Sequence, residues 1–308
     1  MTDKLLITGA SGFIGQNLLP RLKQQYDVVE LASDLRDHAA VRAEIKQHDP
    51  QLVVHLAART EVQKSFYEPN VFADINFTGT VNLIESCAQE CKRIKSFIFA
   101  STMEVYGWQP ISDEVKYHGV PAVPQVFDET TEPHPNAPYA VAKRGCELYL
   151  EYAYRSMGLP FVAIRQTNSY GRVDNDFFVT EQIITQMLRS PRYVNLGYAE
   201  PYRNFIHVDD LVDAWLAVID NADRLSGKIY TIGPNNPIKI RDYAWKIAGM
   251  IGWQGDILWD SKPPRVGEIY WLNSANDRIT ADTGWQPKIS LDEGLQRTIH
   301  SWRTRLAS

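Results

Sequence analysis

Residues 4–15 read KLLITGASGFIG: a short apolar stretch that runs into three evenly spaced glycines, Gly9, Gly12 and Gly15. The residues that follow, FIGQNLLPRLKQQ (13–25), carry a helical pattern. A strand that stops at glycines and restarts as a helix is a strand–turn–helix unit. Small residues in the turn let the backbone approach a pyrophosphate, and unpaired amides at the helix N-terminus stabilise its charge. A glycine triad alone is weak evidence, so the sequence beyond it decides. YDVVEL (26–31), QLVVHLAA (51–58), KSFIFAS (95–101) and PFVAIRQTN (160–168) read as strands. Between them, DHAAVRAEIKQH (37–48), PNVFADINFTGTVNLIESCAQE (69–90) and PYAVAKRGCELYLEYAYRSMG (138–158) read as helices. Buried strands alternating with helices of this length specify an α/β fold with a Rossmann-type, doubly wound parallel sheet. Such sheets bind ligands at the carboxyl ends of their strands.

The second half is less regular. Helical patterns at 180–189, 209–220, 240–251 and 291–305 are separated by short strands and by turns such as GPNNP and KPPRVGE. The expected organisation is a cofactor domain over 1–166 and a smaller substrate domain over 167–308. Parts of 204–233, NFIHVDD and KIYTIG, are expected to return to the main sheet.

Composition narrows the function. The 308 residues are 44% hydrophobic and 22% charged, as in an ordinary globular protein. A net charge of −5 argues against nucleic-acid binding, which needs a basic surface. No run approaches the roughly 18 apolar residues of a membrane span. MTDK leads straight into the first strand with no charged-then-apolar leader, so a cytoplasmic location is expected. Three cysteines, Cys87, Cys91 and Cys146, give no disulfide framework, and the seven histidines show no metal-ligand spacing.

Two further sites carry chemistry. In YAVAK, Tyr139 and Lys143 stand four apart and share a helix face. A neighbouring ammonium favours the phenolate, so the pair is expected to lower the tyrosine pKa and make it a proton acceptor. Thr102 adds a hydroxyl at the end of the preceding strand. At the cofactor's ribose end, Asp34 follows Gly15 by nineteen residues, near the spacing of an acid that binds ribose hydroxyls. It lies a little beyond VVEL, however, and could instead meet the adenine. Arg36 is the one cation near enough for a 2′-phosphate, so NAD is favoured and NADP not excluded.

Taken in order, these segments resemble the extended short-chain dehydrogenase/reductase family, the nucleotide-sugar epimerases and dehydratases. TGASGFIG resembles its cofactor loop, and HLAARTEVQKSFYEPNVFADINFTGTVNLIE its H-L-A-A…N…G-T segment. STMEVYG, YAVAK, RQTNSYG, RNFIHVDD and PPRVGE resemble its remaining signatures across nearly the whole chain. The resemblance implies NAD held by Gly9, Gly12, Phe13, Ile14, Gly15, Asp34, Leu35, Ala57 and Ala58, with Tyr139 and Lys143 also at the nicotinamide end. It implies that Tyr139 takes a proton from a sugar hydroxyl, usually at C4, which Thr102 orients. Asn168, Arg203 and Arg265 would hold a nucleotide-diphosphate sugar, the arginines on its diphosphate. His207 is expected to hydrogen-bond structurally, Asp209 to cap a helix, and His55 to sit in the core. Helices 70–89 and 139–157 carry apolar and aromatic residues on more than one face, as a homodimer interface of the family's kind would require.

The chain also departs from the family pattern. Arg172 replaces the usual proline after YG, Asn204 replaces an Asp, and VVEL lacks an acid at its end. Met103 stands where dehydratases of the STDEVYG type carry an acid, while Glu104 keeps their base. Epimerisation is the first expectation. Dehydration using Glu104 as base and NADPH-dependent reduction of a 4-keto sugar are the alternatives, and a non-catalytic cofactor sensor is disfavoured by the retained Tyr139, Lys143 and Thr102. A long segment, 108–137, ends in FDETTEPHPNA, which resembles the 4,6-dehydratases.

Overall fold

The structure is a computed structural model and describes residues 2–107, 125–261 and 268–307. Its centre is a six-stranded sheet. The first five strands are β1 (Lys4–Thr8), β2 (Asp27–Glu30), β3 (Leu52–His55), β4 (Ser96–Thr102) and β5 (Phe161–Gln166). The sixth is Lys228–Ile232, and the spatial order is Lys228–Ile232, β5, β4, β3, β1, β2. Every pairing in it is parallel. β2 and β3 flank β1 on opposite sides, so the strand order reverses there and opens a crevice above the β1 carboxyl end.

Alternate strand residues enter different cores, as expected of a sheet covered on both faces. Leu5, Ile7, Val54, Ile98 and Ile164 pack under helix α1 (Phe13–Leu22) and the helix Val208–Asp220. Leu6, Val53, Phe97, Phe99 and Ala163 face helix α2 (His38–His48) and the helices Gly79–Glu90 and Pro138–Met157. A third core, around Tyr170, Phe205, Tyr243 and Trp302, belongs to the second half of the chain.

The long helix expected over 69–90 is a continuous helical run with a π-helical segment, Ala73–Thr78, between Pro69–Phe72 and Gly79–Glu90. Buried Asn76 lies in that segment and uses both amide atoms on Arg59, accepting from its amide (2.8 Å) and donating to its carbonyl (2.9 Å). The widened turn thereby anchors the loop that leaves β3.

Of the two segments expected to return to the main sheet, Lys228–Ile232 does so against β5. Phe205–His207 does not: it pairs with Asn168–Tyr170 in a separate two-stranded ladder. Ile206 and Val208 still enter the core beneath the main sheet, so the segment contributes side chains there rather than a strand. The helix cap is also displaced by two residues. His207 is the N-cap, its Nδ1 accepting from the Asp209 amide at 3.3 Å, while the Asp209 carboxylate pairs with Arg297.

Candidate active site

The glycine loop leaves β1 beside the β3 exit. Gly9 has φ +71°, and a Cβ there would lie 2.6 Å from the Ala57 amide nitrogen. A Cβ on Gly15 would lie 2.4 Å from the Gly9 carbonyl oxygen. Gly9 therefore needs glycine for handedness and space, and Gly15 for space alone. Gly12 provides no side-chain cap to α1, which leaves first-turn amides, those of Phe13 and Ile14 among them, available to an anion. Ala57 donates its amide to the Thr8 hydroxyl (3.2 Å), which ties the AA segment of Ala57 and Ala58 to the loop. The residues present fit a dinucleotide pyrophosphate.

β4 ends at Thr102, which caps the short 3-10 turn Met103–Tyr106 by accepting from the Glu104 amide at 3.2 Å. Tyr139 enters from the first turn of Pro138–Met157, after Pro138 at the helix start. Its phenol hydrogen-bonds Thr102, and the Glu104 carboxylate is near enough to act on it electrostatically. Thr102, Glu104 and Tyr139 thus meet at one strand end, all nearly buried. Glu104 makes no side-chain hydrogen bond among the described residues.

Lys143 lies one turn further along the helix. Its Nζ donates to the Ala100 carbonyl (2.7 Å) and sits 4.7 Å from the centre of the Phe99 ring. Burial brings its pKa down to about 8. The expected lowering of the Tyr139 pKa by Lys143 is not seen. Burial pushes Tyr139 above its ordinary value and the Glu104 charge adds to this, with the Thr102 hydrogen bond opposing both. Desolvation of the phenolate dominates, and the Lys143 ammonium is directed to a backbone carbonyl instead.

Behind this site is a charged network that the sequence did not announce. Glu147 is fully buried and takes two hydrogen bonds from Arg165, at 2.9 and 2.8 Å. It also accepts from Ser101 (2.5 Å) and Arg144 (3.0 Å), and Arg165 reaches the Tyr106 hydroxyl at 2.8 Å. Ser101 precedes Thr102, and Tyr106 ends the 3-10 turn, so the network holds both sides of the strand end. One signal was available: Glu147 falls four and eight residues after Lys143 and Tyr139, on the same helix face.

The Asn168 side-chain oxygen is buried without a hydrogen-bond partner among the described residues, as suits a group that meets a ligand. Arg203 is nearly buried, and its guanidinium is engaged by the Ile269 carbonyl (2.7 Å) and the Glu268 carboxylate (2.7 Å). The position expected to hold a diphosphate is thus tied to a carboxylate within the chain. Arg265 lies outside the described residues. Asn204 donates to Asn273 and Ser274, which an aspartate could not do. Arg172 is sandwiched between Phe13, 3.9 Å from the ring centre, and Phe178 at 4.0 Å, with Glu181 beneath it at 3.8 Å. Met103 is fully buried in an apolar cluster with Val105, Tyr106, Phe127, Ile269 and Leu272.

At the ribose end, Asp34 is exposed and paired with Arg36 at 2.6 Å, which holds its carboxyl down at about 2. Leu35 is buried, and its carbonyl accepts from Asn82 at 2.9 Å. Sequence reading overlooked Glu44. From α2, its carboxylate accepts the amides of Ala32 (2.9 Å) and Ser33 (3.0 Å) and the Ser33 hydroxyl (2.6 Å). His55, as expected, is core. Thr80 donates its own proton to the Asn76 carbonyl, so His55 Nε2 donates to Thr80 (2.8 Å) and Nδ1 accepts from Thr8 (2.6 Å).

Comparison with known proteins bears on this arrangement. The profile of the NAD dependent epimerase/dehydratase family matches residues 5–233. The GDP-6-deoxy-D-mannose reductase of Pseudomonas aeruginosa is 26% identical, with 99% of each chain covered. The dTDP-glucose 4,6-dehydratase of Shigella flexneri is 26% identical, over 96% of this chain and 91% of its own. Among solved structures, the UDP-glucose 4-epimerase of Thermotoga maritima with UDP-glucose superposes with a TM-score of 0.85 at 27% identity. That match covers 98% of this chain and 99% of the epimerase.

Proposed function

Because the chain belongs to the NAD dependent epimerase/dehydratase family, we propose that it acts on a nucleotide-diphosphate sugar by transient oxidation at C4, with epimerisation as the net reaction. When bound, the cofactor would supply reversible hydride exchange with the sugar C4. The chain supplies the rest. Thr102 orients the C4 hydroxyl, Tyr139 accepts its proton and gives it back after the sugar has turned, and Lys143 holds the nicotinamide ribose. Gly9, Gly12, Gly15 and the first turn of α1 carry the cofactor's pyrophosphate, and Asn168 offers its open acceptor to the substrate.

The observation that carries epimerisation is the position of Met103. Its side chain is fully buried in an apolar cluster, so the position that would protonate a leaving hydroxyl holds no acid. General acid assistance is worth roughly 10²–10⁴-fold, a large handicap for elimination. A second reading, dehydration, is favoured by the nearly buried Glu104 carboxylate, which makes no side-chain hydrogen bond among the described residues and so could serve as a base. Offering UDP-, dTDP-, GDP- and CDP-sugars and recording product masses separates the readings. An isomer of unchanged mass is expected; loss of water would mean dehydration, gain of two hydrogens reduction, and no turnover of any sugar would overturn the assignment.

We also place a homodimer on the helical run 69–90 and Pro138–Met157, which leave Val71, Val141, Leu148 and Tyr152 exposed. Three free thiols suit the reducing cytoplasm. Among the described residues, no helix is long and apolar enough to cross a membrane.

A further inference from the structure

We infer that Glu44, reaching in from α2, is the residue that selects NAD over NADP. The inference rests on the dinucleotide-binding reading of the glycine loop and extends it to a residue outside every motif quoted above. β2 runs beside β1, and the Leu31 amide bonds the Ile7 carbonyl at 2.9 Å. The next residues, Ala32 and Ser33, therefore emerge alongside the glycine loop, where the adenosine ribose of a dinucleotide sits in this type of fold. VVEL brings no acid of its own to that place.

Two successive amides and a hydroxyl at Ala32 and Ser33 form an anion-binding concavity. Glu44 fills it with three hydrogen bonds of 2.6–3.0 Å. A carboxylate offers about four acceptor sites, so one remains for a ribose 2′-hydroxyl, which can donate. A 2′-phosphate cannot donate in its charged form and brings close to two negative charges against a fixed one. Arg36, the next cation along the chain, offers it little help. Arg36 is held by Asp34 through Nε (3.0 Å) and Nη2 (2.6 Å), so its charge is already matched. Asp34, the acid expected from spacing, thus neutralises a cation, while Glu44 occupies the loop next to the ribose.

The test uses the full chain and titrates NAD and NADP separately, following quenching of its tryptophans, of which there are eight. Wild type should bind NAD more tightly. Glu44→Ala should lower the NAD-over-NADP preference about tenfold or more, the scale of one charged hydrogen bond gained or lost. Glu44→Gln, nearly isosteric, should lower it in the same direction, and it decides the matter should Glu44→Ala fail to fold. An unchanged ratio in a folded Glu44 variant would overturn the inference, as would a wild type that prefers NADP. A shifted ratio in Asp34→Asn with none in the Glu44 variants would assign the role to Asp34 instead. Binding of neither dinucleotide by wild type would defeat the glycine-loop reading itself, an outcome distinct from the others.

Discussion

Tyr139 and Glu104 compete for one proton-handling centre. The Glu104 charge is among the influences that push the Tyr139 phenol upward. Replacing Tyr139 with Phe removes the proposed base and should reduce turnover about 10²–10⁴-fold while cofactor binding persists. The Glu104→Gln variant reads the reaction type. Under epimerisation it keeps activity within a few-fold, because the remaining steps need no second base. Under dehydration it loses product by the same two to four orders of magnitude. Product quantified by mass for the two variants separates these outcomes. At this scale the sequence was informative wherever neighbours along the chain make the site. The glycine loop and the Tyr139–Lys143 pair depend on spacings of three and four residues. Glu44 and the Arg165–Glu147 pair were hidden, because they are joined across 11 and 18 residues by tertiary packing.

At the scale of elements, β1, β3 and the helix Gly79–Glu90 are cross-linked through His55. Burial brings its pKa down to about 3, with the Lys143 charge adding to the effect. The sign follows directly. The unfolded chain takes up a proton near the ordinary histidine value of about 6.5, and the folded chain does so only near 3. Stability from this residue is therefore complete above about 6.5 and is lost as pH falls toward 3. His55→Asn should flatten the loss of urea midpoint between pH 7 and 4.5 relative to wild type, and equal slopes would show that His55 plays no part in it. The strands and helices of the first half were readable because apolar periodicity reports burial directly. The pairing of Phe205–His207 was not, since apolar runs of three residues suit any sheet. The π segment was equally silent: Asn76 within it meets Arg59, a contact absent from any local pattern.

For the whole molecule, the doubly wound sheet determines which surfaces remain to be covered. One core is closed by α1 and Val208–Asp220, the other by α2, Gly79–Glu90 and Pro138–Met157. The outer face of Pro138–Met157 still exposes Leu148 and Tyr152 to about half of their area. Leu148→Asp should convert a dimeric mass to a monomeric one in light scattering, with the melting temperature of the monomer little changed. A monomeric wild type would remove the proposed interface. The cluster around Met103 sets a limit on redesign. A single substitution to aspartate would not turn this chain into a relative with a working acid. It would bury an unpaired carboxylate among Val105, Phe127, Ile269 and Leu272, at a cost of several kcal/mol. Phe127, Ile269 and Leu272 lie far along the chain, so giving an acid at position 103 a polar surrounding would take changes at positions distant in sequence.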